Sequence, residues 1–467
     1  MVQIISEDSG QISSLLGLIK EAATTLEAGY AKGPGGVPCL DDTAPHPLDR
    51  NISTPEMREA TQVLEGACAQ LCAVLARPNH TVLNNFFLTA LQPSCLRIAL
   101  EFNIPDILQH KPSGMHVAEI SKICGVDASK LARILRLLTA KHCFREVEKD
   151  VFANNRLSVQ LLTSNPLYSL GLHMTEDMTQ AATKLAETLA DAEWGPSVIP
   201  THAAFNKFTS QPLAMFDFWA QTPAMHEHGE RFGVAMIGWG TAVEAEAVVS
   251  AYHWHTLPPG ATVCDLGGGV GALSMQLARA HPTLHIALQD LPERMVQAAQ
   301  TVWPAACPEA LAEGRVNFRA IDFFKEVPLA GCDVYYVGGL LKNILHAFQE
   351  AQCITILKGV RQAMKRGSRV LIHEYILQMA AAAASSSYSA QNKQLARAPA
   401  PLLSNYGAGR IRQYYLDVSL MVLINSKERT LEEYVALGEA AGLRFVRVWA
   451  FGDMSGVELC ASEEGED

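Results

Sequence analysis

The sequence lacks three features that would each assign a class of protein. No apolar run approaches the ~20 residues that a helix needs to cross a bilayer, so we predict no membrane association. Its 37 Lys and Arg are outnumbered by 48 Asp and Glu, giving a net charge of −11 that argues against binding to nucleic acid. The first residues, MVQIISEDSG, are acidic where a signal peptide is basic, so we expect a cytoplasmic location.

Clustered cysteines are also missing. The eleven cysteines are scattered, mostly in apolar surroundings. Cys68 and Cys72 lie one helical turn apart, but no histidine pair or second cysteine pair follows at zinc spacing. We therefore expect reduced thiols and no metal site.

A glycine-rich turn organises what is present. Val263 to Leu266 is typical of a short buried strand, and residues 272–280 are typical of a helix. Gly267, Gly269 and Gly271 lie between them and let the backbone turn sharply and approach a ligand closely. The amide groups at the start of the following helix would face that ligand.

Three acids indicate which ligand this is. Asp265 precedes the glycines, where it could hold an amino group. Asp290 ends the next apolar run, at the spacing where a carboxylate meets ribose hydroxyls, and Asp322 follows a third run and could meet an adenine amine. A ligand with an amino acid, a ribose and an adenine but no pyrophosphate is S-adenosylmethionine. An NAD site and a structural turn without a ligand are the alternatives.

The pattern divides the 467 residues into three parts. Residues 1–78 are predicted to form an N-terminal helical extension, with one helix over 6–29 and a second from Pro55. The segment Ser53-Thr54-Pro55-Glu56 is typical of a helix start, with a hydroxyl cap and a proline in the first turn. Residues 79–245 contain two helical stretches near 80–93 and 94–103, then a helix-turn-helix-wing order up to Leu162, then apolar helices. A winged helix can bind DNA, but its second helix offers few basic residues in an acidic protein, so we favour a packing or dimerisation role.

Residues 246–467 alternate strands and helices, which predicts an α/β domain with a mostly parallel sheet covered on both faces. The predicted strands are 262–266, 285–289, 316–321, 333–337, 369–373, 444–449 and 456–460. The predicted helices are 271–281, 292–302, 347–366 and 430–441. Residues 379–402 are of low complexity and predict a flexible insertion.

One histidine and two glutamates adjoin turns of this domain: His346, Glu374 and Glu428. Methyl transfer to oxygen needs a base for the hydroxyl proton, and a neutral histidine suits this because its pKa lies near working pH. A carboxylate on the other ring nitrogen would fix the tautomer. Each residue also has a structural interpretation, for example Glu428 as an acid at the start of a helix.

The motifs, taken in order, resemble the plant-type O-methyltransferases, the caffeate and flavonoid O-methyltransferase-like family, in its fungal form, over residues 80–465. The family pattern D-x-G-G-G-x-G is matched by Asp265 to Gly271, and its D-L-P by Asp290-Leu291-Pro292. Asp322-Phe323 matches the adenine-binding acid and the bulky apolar residue after it. Lys342 and His346 match the cofactor-binding lysine and catalytic histidine, and Glu374 and Glu428 match the two glutamates that support the histidine.

The resemblance implies a class I methyltransferase with a Rossmann-like sheet and an N-terminal helical, winged-helix dimerisation domain. It implies S-adenosylmethionine as cofactor, a homodimer, and methyl transfer to the hydroxyl of a small aromatic, phenolic acceptor. The acceptor pocket should draw on eight residues: Phe218, Trp219, Met236, Trp239, Asn405, Tyr406, Asp417 and Met421.

Two departures keep other functions open. The family's H-D-W is here His346-Ala347-Phe348, which should alter acceptor preference, and residues 337–340 are an apparent insertion before Lys342. Some fungal proteins that resemble this family bind S-adenosylmethionine but catalyse pericyclic ring closure with a Lys or Arg near the base, and Lys342 could serve so. An inactive cofactor-binding partner protein is the non-enzyme alternative.

Overall fold

A computed structural model describes residues 8–50, 52–338, 344–381, 395 and 397–462. They form two compact units. The first, the helical unit, comprises Met1–Trp239, Ala398–Ile411 and Val422–Ile424; the second, the sheet unit, comprises Gly240–Arg397, Arg412–Met421 and Asn425–Asp467. The predicted division into three parts, with boundaries at 78/79 and 245/246, stays a prediction.

Two long helices, Asp8–Ala31 and Pro55–Leu75, open the helical unit. The second begins where the sequence predicts, because the Thr54 hydroxyl accepts a hydrogen bond from the Met57 amide and Pro55 occupies the first turn. Their apolar faces share a core with a segment from much later in the chain. The buried members of this core are Leu15, Ala22, Ala60, Val63, Ala67, Leu402 and Tyr406.

The next segment differs from the prediction. Helical turns run almost without interruption over Pro78–Val82, Leu83–Phe87, Leu88–Ala90 and Leu91–Glu101. The irregular turns lie at 83–90, not at the predicted junction of 93 and 94, and Phe86 and Phe87 there are 71% and 68% exposed.

The predicted winged helix is present. Strand β1 (Met115–His116) precedes helices Val117–Cys124 and Ala128–Ala140, and strands β2 (Arg145–Glu148) and β3 (Val151–Ala153) follow them. The three strands form an antiparallel sheet in the order β1-β3-β2. The apolar side of the second helix, with Leu131 and Leu135 fully buried, faces the core. The helices of the following region are Pro166–His173, Thr179–Ala182, Leu185–Ala190, Ala204–Thr209, Met215–Gln221 and His226–Ala242.

A seven-stranded sheet forms the centre of the sheet unit, in the order β6-β5-β4-β7-β8-β10-β9. The strands are β4 (Thr262–Leu266), β5 (His285–Asp290), β6 (Val316–Ala320), β7 (Val334–Val337), β8 (Arg369–Glu374), β9 (Leu443–Phe451) and β10 (Met454–Ala461). All seven predicted strands are thus found. β4 to β8 pair in parallel, whereas β10 pairs antiparallel with both β8 and β9.

The order of the strands places the site. The chain runs from β4 outward to β6 and then returns to β7 on the other side of β4. This reversal leaves a crevice at the carboxyl ends of β4 and β7, where ligands bind in open α/β sheets. Apolar clusters fill both faces of the sheet, and the helices of this unit are Val248–Ala251, Ala272–Ala280, Pro292–Gln297, Trp303–Ala306, Pro308–Ala312, Glu350–Ala363 and Leu431–Ala440. Helix Ile411–Ile424 contributes Arg412–Met421 to this unit and its two ends to the helical unit.

Two parts of the chain were not predicted in this form. Helix Ile411–Ile424 was not predicted at all. Of the predicted flexible insertion, residues 382–394 and 396 lie outside the described residues, but its last part is packed: Leu402 is buried beside the first two helices and the Pro401 carbonyl accepts a hydrogen bond from the Gln70 amide at 2.8 Å.

His373 on β8 is buried in the sheet. Its Nδ1 accepts a hydrogen bond from the Tyr336 hydroxyl on β7 at 2.6 Å, and Phe451 packs against its ring. Burial lowers the pKa of His373 to about 3, so this histidine is neutral near neutral pH.

In the part of the chain that the structure describes, no single helix has the length and apolar character of a membrane span; only the bent pair Pro223–Ala242 and Ala245–Thr256, taken together, meets these two criteria.

Candidate active site

The glycine turn follows β4 as predicted and has left-handed backbone at Gly267, Gly269 and Gly271. A Cβ at Gly271 would lie 2.7 Å from Leu288 and 2.8 Å from Trp303, so this glycine is required by packing. A Cβ at Gly269 would meet no protein atom within 4 Å. The space next to Gly269 is therefore open to a ligand, and its backbone angle φ of +63° disfavours any other residue.

Asp265, at the end of β4, is the most unusual carboxylate of this turn. Its side chain is 2% exposed, its Oδ2 accepts a hydrogen bond from the Ser274 hydroxyl at 2.6 Å, and its Oδ1 has no partner among the described residues. Burial raises the pKa of Asp265 to about 7. A buried carboxylate oxygen without a partner is suited to the ammonium group of an amino acid.

Asp290 ends the neighbouring strand β5 and is also buried. Its two oxygens accept the amide protons of Gly269, at 2.8 Å, and Leu291, at 2.7 Å. These bonds fix the carboxylate beside the glycine turn and leave each oxygen with a further lone pair. The arrangement fits recognition of ribose hydroxyls. Leu291, the next residue of the predicted cofactor site, is 47% exposed.

Asp322 follows β6, the third strand in this row. Its carboxylate accepts the Phe324 amide at 3.1 Å and pairs with Lys325 at 2.7 Å, and the lysine holds the pKa of Asp322 below its ordinary value. Phe323 lies against the core, with its ring 6.0 Å from that of Phe348. Phe348, which stands where the family pattern has Trp, therefore packs beside the predicted adenine-binding residues.

His346 lies on a short helical turn, Leu345–Ala347, after β7. Its Nδ1 is 2.7 Å from Oε1 of Glu428, whose side chain is fully buried. Burial lowers the pKa of His346, but the Glu428 carboxylate outweighs this effect, so the pKa lies above its ordinary value. Since Nδ1 is the donor to Glu428, Nε2 is the ring atom that remains for a substrate proton.

Glu374 also supports His346, but through the backbone. Its Oε1 accepts the Leu345 amide at 2.6 Å and its Oε2 accepts the Tyr434 hydroxyl at 2.7 Å. Burial raises the pKa of Glu374. The three predicted catalytic residues are thus brought together, with one glutamate on the ring and the other on the turn that carries it.

The predicted acceptor-binding residues are distributed over both units. In the helical unit, Trp219 is buried and Phe218 lies beside it, while Met236 and Trp239 are half-buried on helix His226–Ala242. Asp417 in the sheet unit is half-buried, and its Oδ1 accepts the Glu428 amide at 2.8 Å. Met421 is half-buried on the same helix.

Asn405 and Tyr406 lie in the helical unit. The side-chain oxygen Oδ1 of Asn405 accepts a hydrogen bond from the Gly407 amide at 3.1 Å. The Tyr406 ring is 1% exposed, packs with the first two helices and is covered by the Arg410 guanidinium at 4.4 Å. The role of these eight residues in binding an acceptor stays a prediction. Lys342 lies outside the described residues.

Sequence reasoning missed several polar residues that hold the site: Ser274, Tyr434, Ser426 and Arg429. Ser274 lies within the helix after the glycine turn, nine residues from the acid to which it donates. Nothing local distinguishes it from any helical serine. Arg429 directly follows Glu428 in K-E-R-T, so the motif itself was the available signal.

Comparison with known proteins shows the family of this chain. Residues 230–398 match the O-methyltransferase domain, and residues 85–164 match the O-methyltransferase dimerisation domain. The chain is 39% identical to 3-O-methyltransferase 2 of Phanerochaete chrysosporium over 97% of this chain and 98% of that one. It is 32% identical to the O-methyltransferase gedA of Aspergillus terreus over 85% of each chain.

Solved structures have the same fold. The mitomycin 7-O-methyltransferase MmcR superposes with a TM-score of 0.62 at 24% identity, covering 82% of this chain and 98% of that one. A structure described as a pericyclic reaction enzyme superposes with a TM-score of 0.67 at 17% identity, covering 96% of this chain and all of that one. At these identities the likeness concerns the fold.

The chain therefore belongs to the plant-type O-methyltransferase family, in its fungal branch. It is an S-adenosylmethionine-dependent O-methyltransferase, and its dimerisation domain supports a homodimer. The unpartnered Asp265 oxygen and the open space at Gly269 fit the amino-acid end of that cofactor, and Asp290 fits its ribose.

Proposed function

We propose that this enzyme methylates a hydroxyl group of a small aromatic, phenolic acceptor and that His346 is the general base. The observation that carries the proposal is the hydrogen bond of 2.7 Å between Nδ1 of His346 and the buried Glu428. It fixes one tautomer and directs the free lone pair of the ring to Nε2.

The bound cofactor supplies a sulfonium methyl group, which becomes the methyl of the ether product. The residues of the chain handle the proton. Nε2 of His346 takes the proton from the acceptor hydroxyl as the oxygen becomes a nucleophile, and Glu428 stabilises the imidazolium that forms. Glu374 keeps the turn in place by accepting the hydrogen bond of the Leu345 amide. Most of the rate acceleration of methyl transfer should come from such positioning of the reacting groups.

An aromatic acceptor is supported by the composition of the helical unit. Trp219 lies among the rings of His173, Phe216 and Phe232, with ring centroids 5.6 to 5.9 Å apart. Its indole Nε1 is buried and has no partner among the described residues. Such a cluster suits a flat ring that carries a hydrogen-bond acceptor.

The test is a panel of phenols incubated with the enzyme and a labelled methyl donor, with both methyl transfer and S-adenosylhomocysteine measured. We expect transfer to at least one phenol, and we expect His346→Ala to abolish it while the affinity for S-adenosylhomocysteine stays within about threefold. Full activity of His346→Ala would contradict the assignment of the base.

The same panel separates the alternatives. No consumption of the methyl donor with any phenol, together with accelerated cyclisation of a polyene or quinone methide, would favour a pericyclase. Binding of S-adenosylhomocysteine without either reaction would favour an inactive partner protein.

A further inference from the structure

We propose that Arg429 is a positioning residue for His346: its guanidinium bridges the two backbone carbonyls that flank the catalytic turn. The inference rests on the proposed role of His346 as the base. It adds Arg429, which has no part in the proton transfer described above.

The two terminal nitrogens of the Arg429 guanidinium each donate a hydrogen bond to one end of the turn. Arg429 is 1% exposed, its Nη1 donates to the Leu345 carbonyl at 2.7 Å, and its Nη2 donates to the Phe348 carbonyl at 2.8 Å. Residues 345 and 348 lie on either side of His346. A planar guanidinium can hold both carbonyls at a fixed separation, which the point charge of a lysine cannot do.

The other contacts of the turn make this bridge consequential. Glu374 accepts the Leu345 amide at 2.6 Å, and the Ser426 hydroxyl donates to the His346 carbonyl. Residues 426, 428 and 429 therefore hold the turn at its backbone and its ring together. Arg429 sets the separation of the two ends, and Glu428 sets the rotation of the ring.

The charge of Arg429 has a second effect that can be measured apart from the bridge. Glu374 and Glu428 are both buried near His346 and both favour its protonated form. The guanidinium opposes them and lowers the pKa of His346 relative to what the two carboxylates would give alone. Loss of the charge should therefore change the pKa of His346, whereas loss of the bridge should lower kcat without changing that pKa.

The experiment compares Arg429→Lys with Arg429→Met in the full-length enzyme. We expect Arg429→Lys to lower kcat about tenfold or more with the pH profile of kcat/KM unchanged, because the charge remains but the fork is lost. We expect Arg429→Met to lower kcat about 100-fold and to move the acid limb of the profile to higher pH. KM for the cofactor should change less than about twofold in both.

Arg315→Met is the matched control for removing a buried arginine from the same unit. Arg315 is also largely buried and donates to a carbonyl, that of Ala278 at 3.0 Å, but it lies on the strand β6 side of the sheet. It should lower the melting temperature while leaving kcat and the pH profile as in the wild type.

A titration by NMR keeps this inference separate from the proposed function. The ring of His346, assigned by its loss in His346→Ala, should titrate at a higher pH in Arg429→Met than in the wild type, and this needs no acceptor. If the wild type methylates no phenol, the proposed function fails while this titration still tests Arg429. An unchanged titration, or a kcat within about twofold of the wild type in folded Arg429→Lys, would overturn the inference. If Arg429→Met does not fold, the kcat of Arg429→Lys decides.

Discussion

Oε1 of the fully buried Glu428 lies 2.7 Å from Nδ1 of His346, whereas Glu374 bonds the backbone of the same turn. The two glutamates therefore have different roles. One sets the orientation and the pKa of the ring, and the other fixes the position of the turn, so their variants should differ in pH dependence.

Glu428→Gln should lower kcat about 1000-fold and move the acid limb of kcat/KM to lower pH. The base is active only when deprotonated, so wild-type activity falls as pH drops through the raised pKa of His346. Without the carboxylate, burial dominates and that pKa falls. The measurement is the pH profile of kcat/KM, with Glu350→Gln as an exposed control that should leave it unchanged. A limb that stays in place would contradict the role of Glu428.

Cofactor affinity should depend on pH through Asp265. The pKa of this buried acid is about 7 before the ligand binds, and an ammonium group needs the carboxylate form. The affinity for S-adenosylhomocysteine should therefore fall as pH drops below 7, by up to about tenfold per pH unit. Calorimetry between pH 5.5 and 8.5 measures this.

Ser274→Ala should shift that fall to higher pH, because the Ser274 hydroxyl stabilises the charged form of Asp265. The control is Ser250→Ala, which removes a hydroxyl that donates to the Ala247 carbonyl. An affinity independent of pH in all three proteins would refute the proposed contact.

Gly269→Val should abolish binding of S-adenosylhomocysteine, since its side chain would enter the open space beside the turn. Gly314→Val is a close match, because Gly314 has a φ of +66° and its Cβ would also meet no protein atom within 4 Å. Both variants should lose similar stability from backbone strain, but only Gly269→Val should lose affinity, by about 100-fold or more. Equal affinities measured by calorimetry would count against the ligand at the turn.

The N-terminal extension should stabilise the helical unit through Gly66. A Cβ there would lie 2.5 Å from the Tyr406 carbonyl, so Gly66→Ala should lower the free energy of unfolding by about 1–3 kcal/mol. Gly17→Ala on the partner helix meets nothing within 4 Å and should raise it by about 0.5–1 kcal/mol. Denaturant unfolding of the full chain compares the two, and a Gly66→Ala protein as stable as the wild type would contradict this packing.

Local patterns predicted the sheet well. Strands β4, β5, β7 and β8 are short, mostly buried apolar runs bounded by polar residues and turns, so the local pattern is enough to locate them. The glycine turn is local in the same sense, and Asp265, Asp290 and Asp322 lie at or just after the carboxyl ends of β4, β5 and β6. Their role in binding the cofactor stays a prediction.

Contacts between distant segments could not be predicted in this way. The Leu345 amide bonded by Glu374 is 29 residues away in sequence, and Tyr434 is 60 residues away. Tyr406 was predicted to face an acceptor, but its burial against helices near the N-terminus depends on a pairing across more than 300 residues. Helix Ile411–Ile424 is apolar around much of its circumference, so it has no strong helical period to predict it.

The hydrogen bond between Tyr336 and His373 has a practical consequence for spectroscopy. Because burial lowers the pKa of His373 to about 3, we expect an imidazole signal that does not move across the pH range of an activity profile. It is an internal reference against which the shift of the base can be read. A variant in which this signal begins to move has lost the interior of its sheet, so one spectrum reports both the chemistry and the integrity of the sample.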